Sequence, residues 1–214
     1  GCKVTVYDKG DHLGGTFATI AKHASFKMRI RKLIEWYGVQ LDKLGVQVVL
    51  NREITPDDPI LAAADEIFVA TGSKAFLPPI PGLDGKNVID VVKAHRDGVE
   101  ADGIVLCGGG LSACDTALEL YEMGKRDISI VEMREDVAMD AMSVNKLSID
   151  RLMNEYGIKL YTNAKVVGIQ PQGVEIEREG KTELLPANTV ITAFGLLPDN
   201  TCADAIQLRY PTKT

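Results

Sequence analysis

The stretch GIVLCGGGLSACDTALELYEMG constrains the fold more than any other part of the chain. The apolar run Ile104–Cys107 predicts a strand, and the apolar residues after the glycines predict a helix. Gly108, Gly110 and Ala113 between them form the pattern G-x-G-x-x-A. In a dinucleotide-binding unit the first position permits a tight turn, the second admits a pyrophosphate to the backbone, and the third allows close packing of helix on strand. The stretch therefore predicts such a unit.

Leu111 and Ser112 form the start of the predicted helix. The first backbone N–H groups of this helix and its partial positive charge would face the phosphates of a bound dinucleotide. The next strand, DISIVEM, ends at Glu132, which follows Gly108 by 24 positions. A carboxylate at this place can accept hydrogen bonds from the ribose hydroxyls of the adenosine half. We expect Met133 and Arg134, which follow it, to complete the site.

The choice of dinucleotide depends on opposing signals. Glu132 repels a 2′-phosphate and favours NADH. Ala113 in place of a third glycine, and Arg134 close to the carboxylate, favour NADPH. We predict NADH because the repulsion by the carboxylate is direct, and NADPH remains the alternative.

Three pairs of segments recur in the same order along the chain. VTVYD resembles ISIVE, LDKLGVQVVLNREI resembles MNEYGIKLYTNAKV, and DEIFVATG resembles NTVITAFG. Asp8 and Glu132 lie 124 positions apart, Gly45 and Gly157 lie 112 apart, and Gly72 and Gly195 lie 123 apart. We interpret the three pairs as one fold used twice.

The predicted fold class is α/β, with two Rossmann-like, doubly wound and mostly parallel units. Broken apolar segments between residues 166 and 192 predict an antiparallel meander in the second unit. The proline-rich stretch KAFLPPIPGLDG favours a crossing between domains. We expect a partial FAD-type domain at 1–85, an NAD(P)H domain at 86–195, and a return toward the first domain at 196–214.

The first unit is predicted to be incomplete. Asp8 has only seven residues before it, whereas the glycine-turn strand of the second unit begins 28 residues before Glu132. The first strand and its glycine turn, roughly 30 residues in such a unit, would then be missing. We expect the chain to be a piece of a longer protein, truncated at both ends and inactive alone.

The segments YDKGDHLGGTFATIAKHASFK, VATGSKAFLPPIPG, VLCGGGLSACDTAL and ITAFGLLPDN together resemble flavoprotein disulfide reductases. More closely, they resemble the C-terminal module of the 2,4-dienoyl-CoA reductase, 2-enoate reductase and NADH oxidase family. That family joins an old-yellow-enzyme barrel to a module that binds FAD and NAD(P)H. The resemblance covers nearly the whole chain.

The resemblance implies cofactor contacts for eight further residues, which are Asp8, Gly14, Gly15, Thr16, Ile54, Thr71, Gly72 and Gly195. Asp8 matches the acid on the FAD ribose, where the family usually has Glu. The glycine pair lies near the flavin diphosphate, and Thr16 stands where Gln is common. Ile54 matches a backbone contact to adenine. The last three residues close the turns at the ends of the two units.

The resemblance also implies a function. NADH would pass hydride to FAD and so serve the reduction of an activated C=C bond of the enoate or enoyl-CoA type. FMN and an iron–sulfur cluster are expected only in the missing barrel, the partner domain of the longer chain. The alternatives are a module of an amine dehydrogenase or an NADH oxidase, and a non-catalytic nucleotide-binding or partner-packing module. No catalytic side chain is required for hydride transfer.

Composition excludes several other classes. The formal net charge of −6 disfavours nucleic acid as a partner. No apolar run reaches the roughly 20 residues that span a membrane, so we expect a cytoplasmic protein.

The four cysteines form no CxxC pair, which argues against a metal site; we expect them to be buried. A homodimer would cover the sheet edge left by a missing strand.

Overall fold

A computed structural model describes residues 1–213 and shows a mixed α/β fold with parallel and antiparallel strands, as predicted. The chain forms two compact units. Unit 1 comprises residues 1–21, 26–74 and 196–213 of the described part, and unit 2 comprises residues 22–25 and 75–195.

Unit 2 is built on a parallel sheet of five strands in the order β4-β11-β5-β6-β7. The bounds are β4 Val88–Asp90, β5 Ile104–Cys107, β6 Ile128–Val131, β7 Lys159–Tyr161 and β11 Thr189–Thr192. Three helices connect these strands, namely α4 Val91–Asp97, α5 Leu111–Glu122 and α6 Ser143–Glu155. The meander consists of β8 Ala164–Gln170, β9 Gly173–Arg178 and β10 Lys181–Pro186, paired antiparallel in the order β10-β9-β8.

The strand β5 is apolar on both faces because both of its faces are covered. Ile104 and Leu106 of β5 pack into the cluster that includes the helices, together with Ala113 and Met153. Val105 and Cys107, which alternate with them, belong to the cluster of the meander. The central strand β5 is therefore enclosed from both sides.

Unit 1 contains short strands and four helices. Its strands are β1 Thr5–Tyr7, β2 Gln47–Val49, β3 Ser73–Ala75 and β12 Leu196–Pro198; the last residue of β3 falls in unit 2. Strand β1 pairs parallel with β2, and β3 pairs with β12. The helices are α1 Gly15–Ile20, α2 Met28–Lys43, α3 Pro59–Ala63 and α7 Thr201–Arg209, and a 3₁₀ turn occupies Ser25–Lys27. Gly45, at φ 67°, follows the C-cap Leu44 of α2 and ends the helix with a left-handed residue.

Matching backbone hydrogen bonds support the duplication. The N–H of Asp8 donates to Val49 O at 3.0 Å, and the N–H of Glu132 donates to Tyr161 O at 2.9 Å. The carbonyl of Asp8 accepts from Arg52 N at 2.9 Å, and that of Glu132 accepts from Ala164 N at 3.0 Å. Both backbone bonds of Asp8 thus have a counterpart at Glu132.

The third predicted pair of segments differs between the units. NTVITAFG contains β11, whereas DEIFVATG (65–72) forms no strand in the structure. In unit 2, β11 lies between β4 and β5 and bonds to both. No strand among residues 1–213 of unit 1 pairs with 65–72, and Phe68 is 93% exposed. Apolar sequence alone does not form a strand when no ladder partner is present.

None of the helices within residues 1–213 has the length and apolar character that crossing a membrane requires.

Candidate functional site

The glycine turn of unit 2 joins β5 to α5. Gly108 adopts φ 104°, and its N–H donates to Val131 O at 2.8 Å. A Cβ added to Gly108 would lie 2.5 Å from Ala193 O, just after β11. Backbone conformation and close packing both require glycine here, as the sequence pattern predicts.

Gly109 has an equally strict requirement that the sequence pattern does not reveal, because it occupies a free position of G-x-G-x-x-A. A Cβ at Gly109 would lie 2.7 Å from Glu132 Cβ and 2.9 Å from Val137 Cγ1. Its N–H donates to Glu132 Oε2 at 2.6 Å. The close approach of the turn to β6 therefore depends on this middle glycine.

Glu132 accepts a backbone hydrogen bond at each of its carboxylate oxygens, one from the glycine turn and one from the loop that follows β6. Oε2 accepts from Gly109 N, and Oε1 accepts from Arg134 N at 2.8 Å. The residue is only 6% exposed. Each carboxylate oxygen has a second lone pair for another donor. The side chain thus stabilises the glycine turn and can also accept from a hydroxyl group.

Gly110 is open where Gly109 is closed. A Cβ added to Gly110 would meet no atom within 4 Å, and its φ of −69° suits any residue. It caps α5 without a side-chain hydrogen bond, and Ala113 behind it is fully buried. Leu111 and Ser112, in the first turn, are exposed. Open space at a helix N-terminus with uncapped N–H groups fits a diphosphate.

The loop 133–142 after Glu132 has a buried half. The sequence predicts that EMREDVAMD is solvated, but Val137 and Ala138 are 0% and 1% exposed. The N–H of Ala138 donates to Gly109 O at 2.7 Å. The loop is therefore not wholly solvated, because these two apolar residues pack beneath the glycine turn while their charged neighbours are in contact with solvent.

The outer half of this loop carries ion pairs and methionines. Met133 is 70% exposed, so its predicted place in the site lies at the surface. The Arg134 guanidinium donates to both carboxylate oxygens of Asp140, at 3.3 and 3.2 Å, and these bonds raise the pKa of Arg134. The Lys146 ammonium lies 2.8 Å from Asp136 and lowers the pKa of that carboxyl. A groove of about 510 Å³ between the loop and α6 includes Met139.

Gly195 lies three residues after β11, at φ 110°, and is exposed. Its carbonyl accepts from Phe76 N at 2.9 Å. Because β11 and β5 are neighbouring parallel strands, Gly195 follows the same sheet edge as the glycine turn.

The unit 1 residues show a partial counterpart of this arrangement. Asp8 follows β1, and its Oδ1 accepts from Gly10 N at 2.7 Å, as Glu132 does from the residue two positions on. Gly14, at φ 97°, caps α1, and a Cβ there would lie 3.0 Å from Ala18 Cβ. Gly15, at φ 48°, and Thr16 open the helix and are exposed.

The remaining predicted residues of unit 1 lie near its C-terminal segment. Thr71 Oγ1 donates to Asp199 O at 3.1 Å, and Gly72 O accepts from Asp199 N at 3.0 Å. Ile54 O is 3.7 Å from Cys202 Sγ. The chain after β12 therefore contacts Thr71 and Gly72, at the turn that the resemblance places at the end of the first unit.

Burial determines the chemistry of the cysteines. Cys107 and Cys114 are fully buried, and burial raises the pKa of each thiol to about 12. Cys2 is exposed and Cys202 is half-buried, so the expectation of burial is wrong for these two. None of the four is in a disulfide, and residues 1–213 contain no cluster of side chains suited to a metal ion. The two buried thiols are protonated at neutral pH and are poor nucleophiles.

A buried polar cluster joins α4 to α5 and was not predicted from the sequence. His95 Nδ1 lies 2.9 Å from Glu119 Oε1, and His95 Nε2 lies 2.9 Å from Thr116 Oγ1. All three side chains are at most 3% exposed. Thr116 Oγ1 also donates to Ser112 O at 2.7 Å, in the first turn of α5. The cluster thereby stabilises the helix that presents its N-terminus at the glycine turn.

Comparison with known proteins places the chain among redox enzymes. A profile of the pyridine nucleotide-disulphide oxidoreductase family matches residues 3–213. The chain is 32% identical over 206 residues to an NADH oxidase of Thermoanaerobacter brockii, with 92% of this chain and 31% of the relative aligned. It is 28% identical over 218 residues to a cinnamate reductase of Clostridium sporogenes, covering 99% of this chain and 32% of the relative.

A solved structure of a 2-naphthoyl-CoA reductase in complex with 2-naphthoyl-CoA is similar in fold and sequence. It matches with a TM-score of 0.89 and 33% identity, over 96% of this chain and 31% of that chain. The chain thus spans about a third of the length of each of these three relatives.

Proposed function

Because the chain belongs to the pyridine nucleotide-disulphide oxidoreductase family, an enzyme family that uses FAD and NAD(P)H, we propose that unit 2 binds NADH and unit 1 binds FAD. When bound, the nicotinamide supplies a hydride and the flavin accepts it. The residues of the chain bind and orient these groups. Neither buried cysteine takes part, since both thiols stay protonated.

The open space at Gly110 is the observation that carries the proposal for unit 2. A Cβ at Gly108 or Gly109 would clash with Ala193, Glu132 or Val137, whereas a Cβ at Gly110 would meet no atom within 4 Å. A diphosphate there would receive the first N–H groups of α5, including those of Leu111 and Ser112. Glu132, at the end of the adjacent strand, would accept from the adenosine ribose. Met133, Arg134 and Gly195 would border the same nucleotide.

For unit 1 we propose the FAD contacts that the family resemblance implies. Asp8 would accept from the ribose, with Gly14, Gly15 and Thr16 near the diphosphate. Ile54, Thr71 and Gly72 would border the remainder of the cofactor. The matching hydrogen bonds of Asp8 and Glu132 support a common use of the two carboxylates.

We further propose that the activity served is the reduction of an activated C=C bond of the enoate or enoyl-CoA type. The cinnamate reductase and the 2-naphthoyl-CoA reductase among the relatives support this substrate class. The NADH oxidase, at 32% identity, favours oxygen as a second candidate acceptor. An FMN barrel, an iron–sulfur cluster and a homodimer stay predictions.

Titration of the purified chain with NADH tests the binding step. We expect saturable one-to-one binding with a dissociation constant between roughly 1 μM and 1 mM, the ordinary range for cofactors and substrates of enzymes. Titration with FAD tests unit 1 separately. The absence of saturation by NADH would refute the assignment to unit 2.

Assays of a longer protein that contains this chain would separate the candidate acceptors. Cinnamate, an enoyl-CoA and oxygen are supplied in turn with NADH under otherwise identical conditions. We expect NADH consumption with the first two that exceeds the rate with oxygen alone. A rate that depends on oxygen only would favour the NADH oxidase alternative.

A further inference from the structure

The two cationic side chains in the segment that follows Glu132 are paired with carboxylates. Within residues 132–150 the cations are Arg134 and Lys146. Arg134 bonds to Asp140, and Lys146 contacts Asp136 and Asp150. Arg134, the cation next to Glu132 in the sequence, therefore already has an anionic partner.

The pair of Arg134 and Asp140 has the geometry of two parallel hydrogen bonds. Nη1 lies 3.3 Å from Oδ1 and Nη2 lies 3.2 Å from Oδ2. Such a fork engages the same two donors that a phosphate group would use. Arg134 also lies near Glu132, with Nε 3.6 Å from Oε1. The guanidinium is thus beside the predicted ribose position but turned toward Asp140.

The position of Asp140 follows from the buried half of its loop. Ala138 donates to Gly109 O, and Ala141 N donates to Ala138 O at 2.9 Å. The first bond ties Ala138 to the glycine turn, and the second closes a backbone turn from Ala138 to Ala141 that contains Asp140. The carboxylate is therefore presented to Arg134 by a fixed segment of backbone.

We propose that Asp140 is a specificity-determining residue, which withholds the Arg134 guanidinium from a 2′-phosphate and so selects NADH over NADPH. The inference rests on the proposed function of unit 2. A 2′-phosphate carries up to two negative charges and would require Arg134 to leave Asp140. NADH has hydroxyl groups at this edge and needs no such exchange.

The test is an equilibrium titration of the full chain and its Asp140→Asn variant with NADH and with NADPH at low ionic strength. Asp140 is largely exposed, so the pair is of the weak surface kind. We expect the dissociation constant for NADPH to fall about 2- to 5-fold, with that for NADH nearly unchanged. Circular dichroism of the variant checks that the fold is retained.

Two further variants separate the ion pair from general charge. Glu135→Gln removes the same charge from an exposed residue of the same loop and should leave the NADPH-to-NADH ratio unchanged. The double variant Asp140→Asn with Arg134→Gln should lose the gain. An equal gain in Glu135→Gln, or a gain that persists in the double variant, overturns the role of Asp140.

The outcomes also distinguish this inference from the function beneath it. Saturable NADH binding with an unchanged ratio in Asp140→Asn refutes the selection by Asp140 alone. Failure of the wild-type chain to bind either dinucleotide refutes the proposed function of unit 2 and this inference with it.

Discussion

Two adjacent glycines, changed one at a time to alanine, should lose different properties. In Gly109→Ala the new methyl group would lie 2.7 Å from Glu132 Cβ and 2.9 Å from Val137 Cγ1. Both neighbours are buried, so neither can move aside easily. In Gly110→Ala the methyl group meets no atom within 4 Å. The first change therefore disturbs the folded chain, and the second occupies the space proposed for the diphosphate.

The magnitudes follow from these distances. Forcing a methyl group into a packed core costs about 1–3 kcal/mol, and a strained Gly109–Glu132 hydrogen bond adds to this. We expect Gly109→Ala to lower the free energy of unfolding by about 2–4 kcal/mol. Gly110→Ala should change it by less than about 1 kcal/mol, because the restriction of the unfolded chain by alanine is offset by its poorer fit at the N-cap of α5.

Gly110→Ala should weaken dinucleotide binding although it leaves the stability nearly unchanged. A Cβ at this position would keep the diphosphate from the backbone, and we expect the NADH dissociation constant to rise at least about 10-fold, equivalent to about 1.4 kcal/mol. Urea unfolding followed by circular dichroism gives the stability, and titration with NADH gives the affinity. Each variant is the control for the other.

Two results would refute the reasoning. Wild-type stability of Gly109→Ala would mean that the turn does not pack on Glu132 as described. Wild-type NADH affinity of a stable Gly110→Ala would mean that the diphosphate does not lie at the N-terminus of α5.

Three further predictions concern a buried ion pair, the reactivity of the cysteines and the effect of dinucleotide on stability. His95→Ala should lower the free energy of unfolding by about 3 kcal/mol in urea titrations, because Glu119 and Thr116 would each lose a buried hydrogen-bond partner and a cavity would remain; a change under about 1 kcal/mol would contradict this. A maleimide at pH 8 should label Cys2 rapidly and Cys107 only after denaturation, as mass spectrometry of peptides would show; labelling of Cys107 in the folded chain would contradict its burial. NADH at about 100 times its dissociation constant should stabilise unit 2 by about 2.7 kcal/mol, measured by hydrogen exchange of β5 amides, and unchanged exchange would contradict binding there.

The strand, the glycine turn and the helix of unit 2 were predictable because short-range chemistry specifies them. Gly108 adopts a positive φ that glycine favours, and the apolar run before it has a buried place in a covered sheet. The end of the following strand at Glu132 could be located from the same kind of pattern. The positions of the paired carboxylates Asp8 and Glu132 followed from the recurrence of the segments.

Other features depend on contacts between segments that are distant in sequence. Gly109 is required by its approach to Glu132, 23 positions away, and the pattern assigns that position no role. The pairing of Arg134 with Asp140 depends on a loop whose course is determined by two buried residues. The segment 65–72 shows the opposite case, in which a suitable apolar sequence lacks the ladder partner that β11 finds in β5.

The loop after Glu132 divides into residues that hold the turn and residues that meet the solvent. Substitution of Val137 or Ala138 would disturb the glycine turn against which both residues pack. Met133, Glu135 and Asp140 can be replaced at little expense to folding. If unit 2 binds a dinucleotide as proposed, surface substitutions in this loop would alter the coenzyme preference and leave the buried support of the glycine turn unchanged.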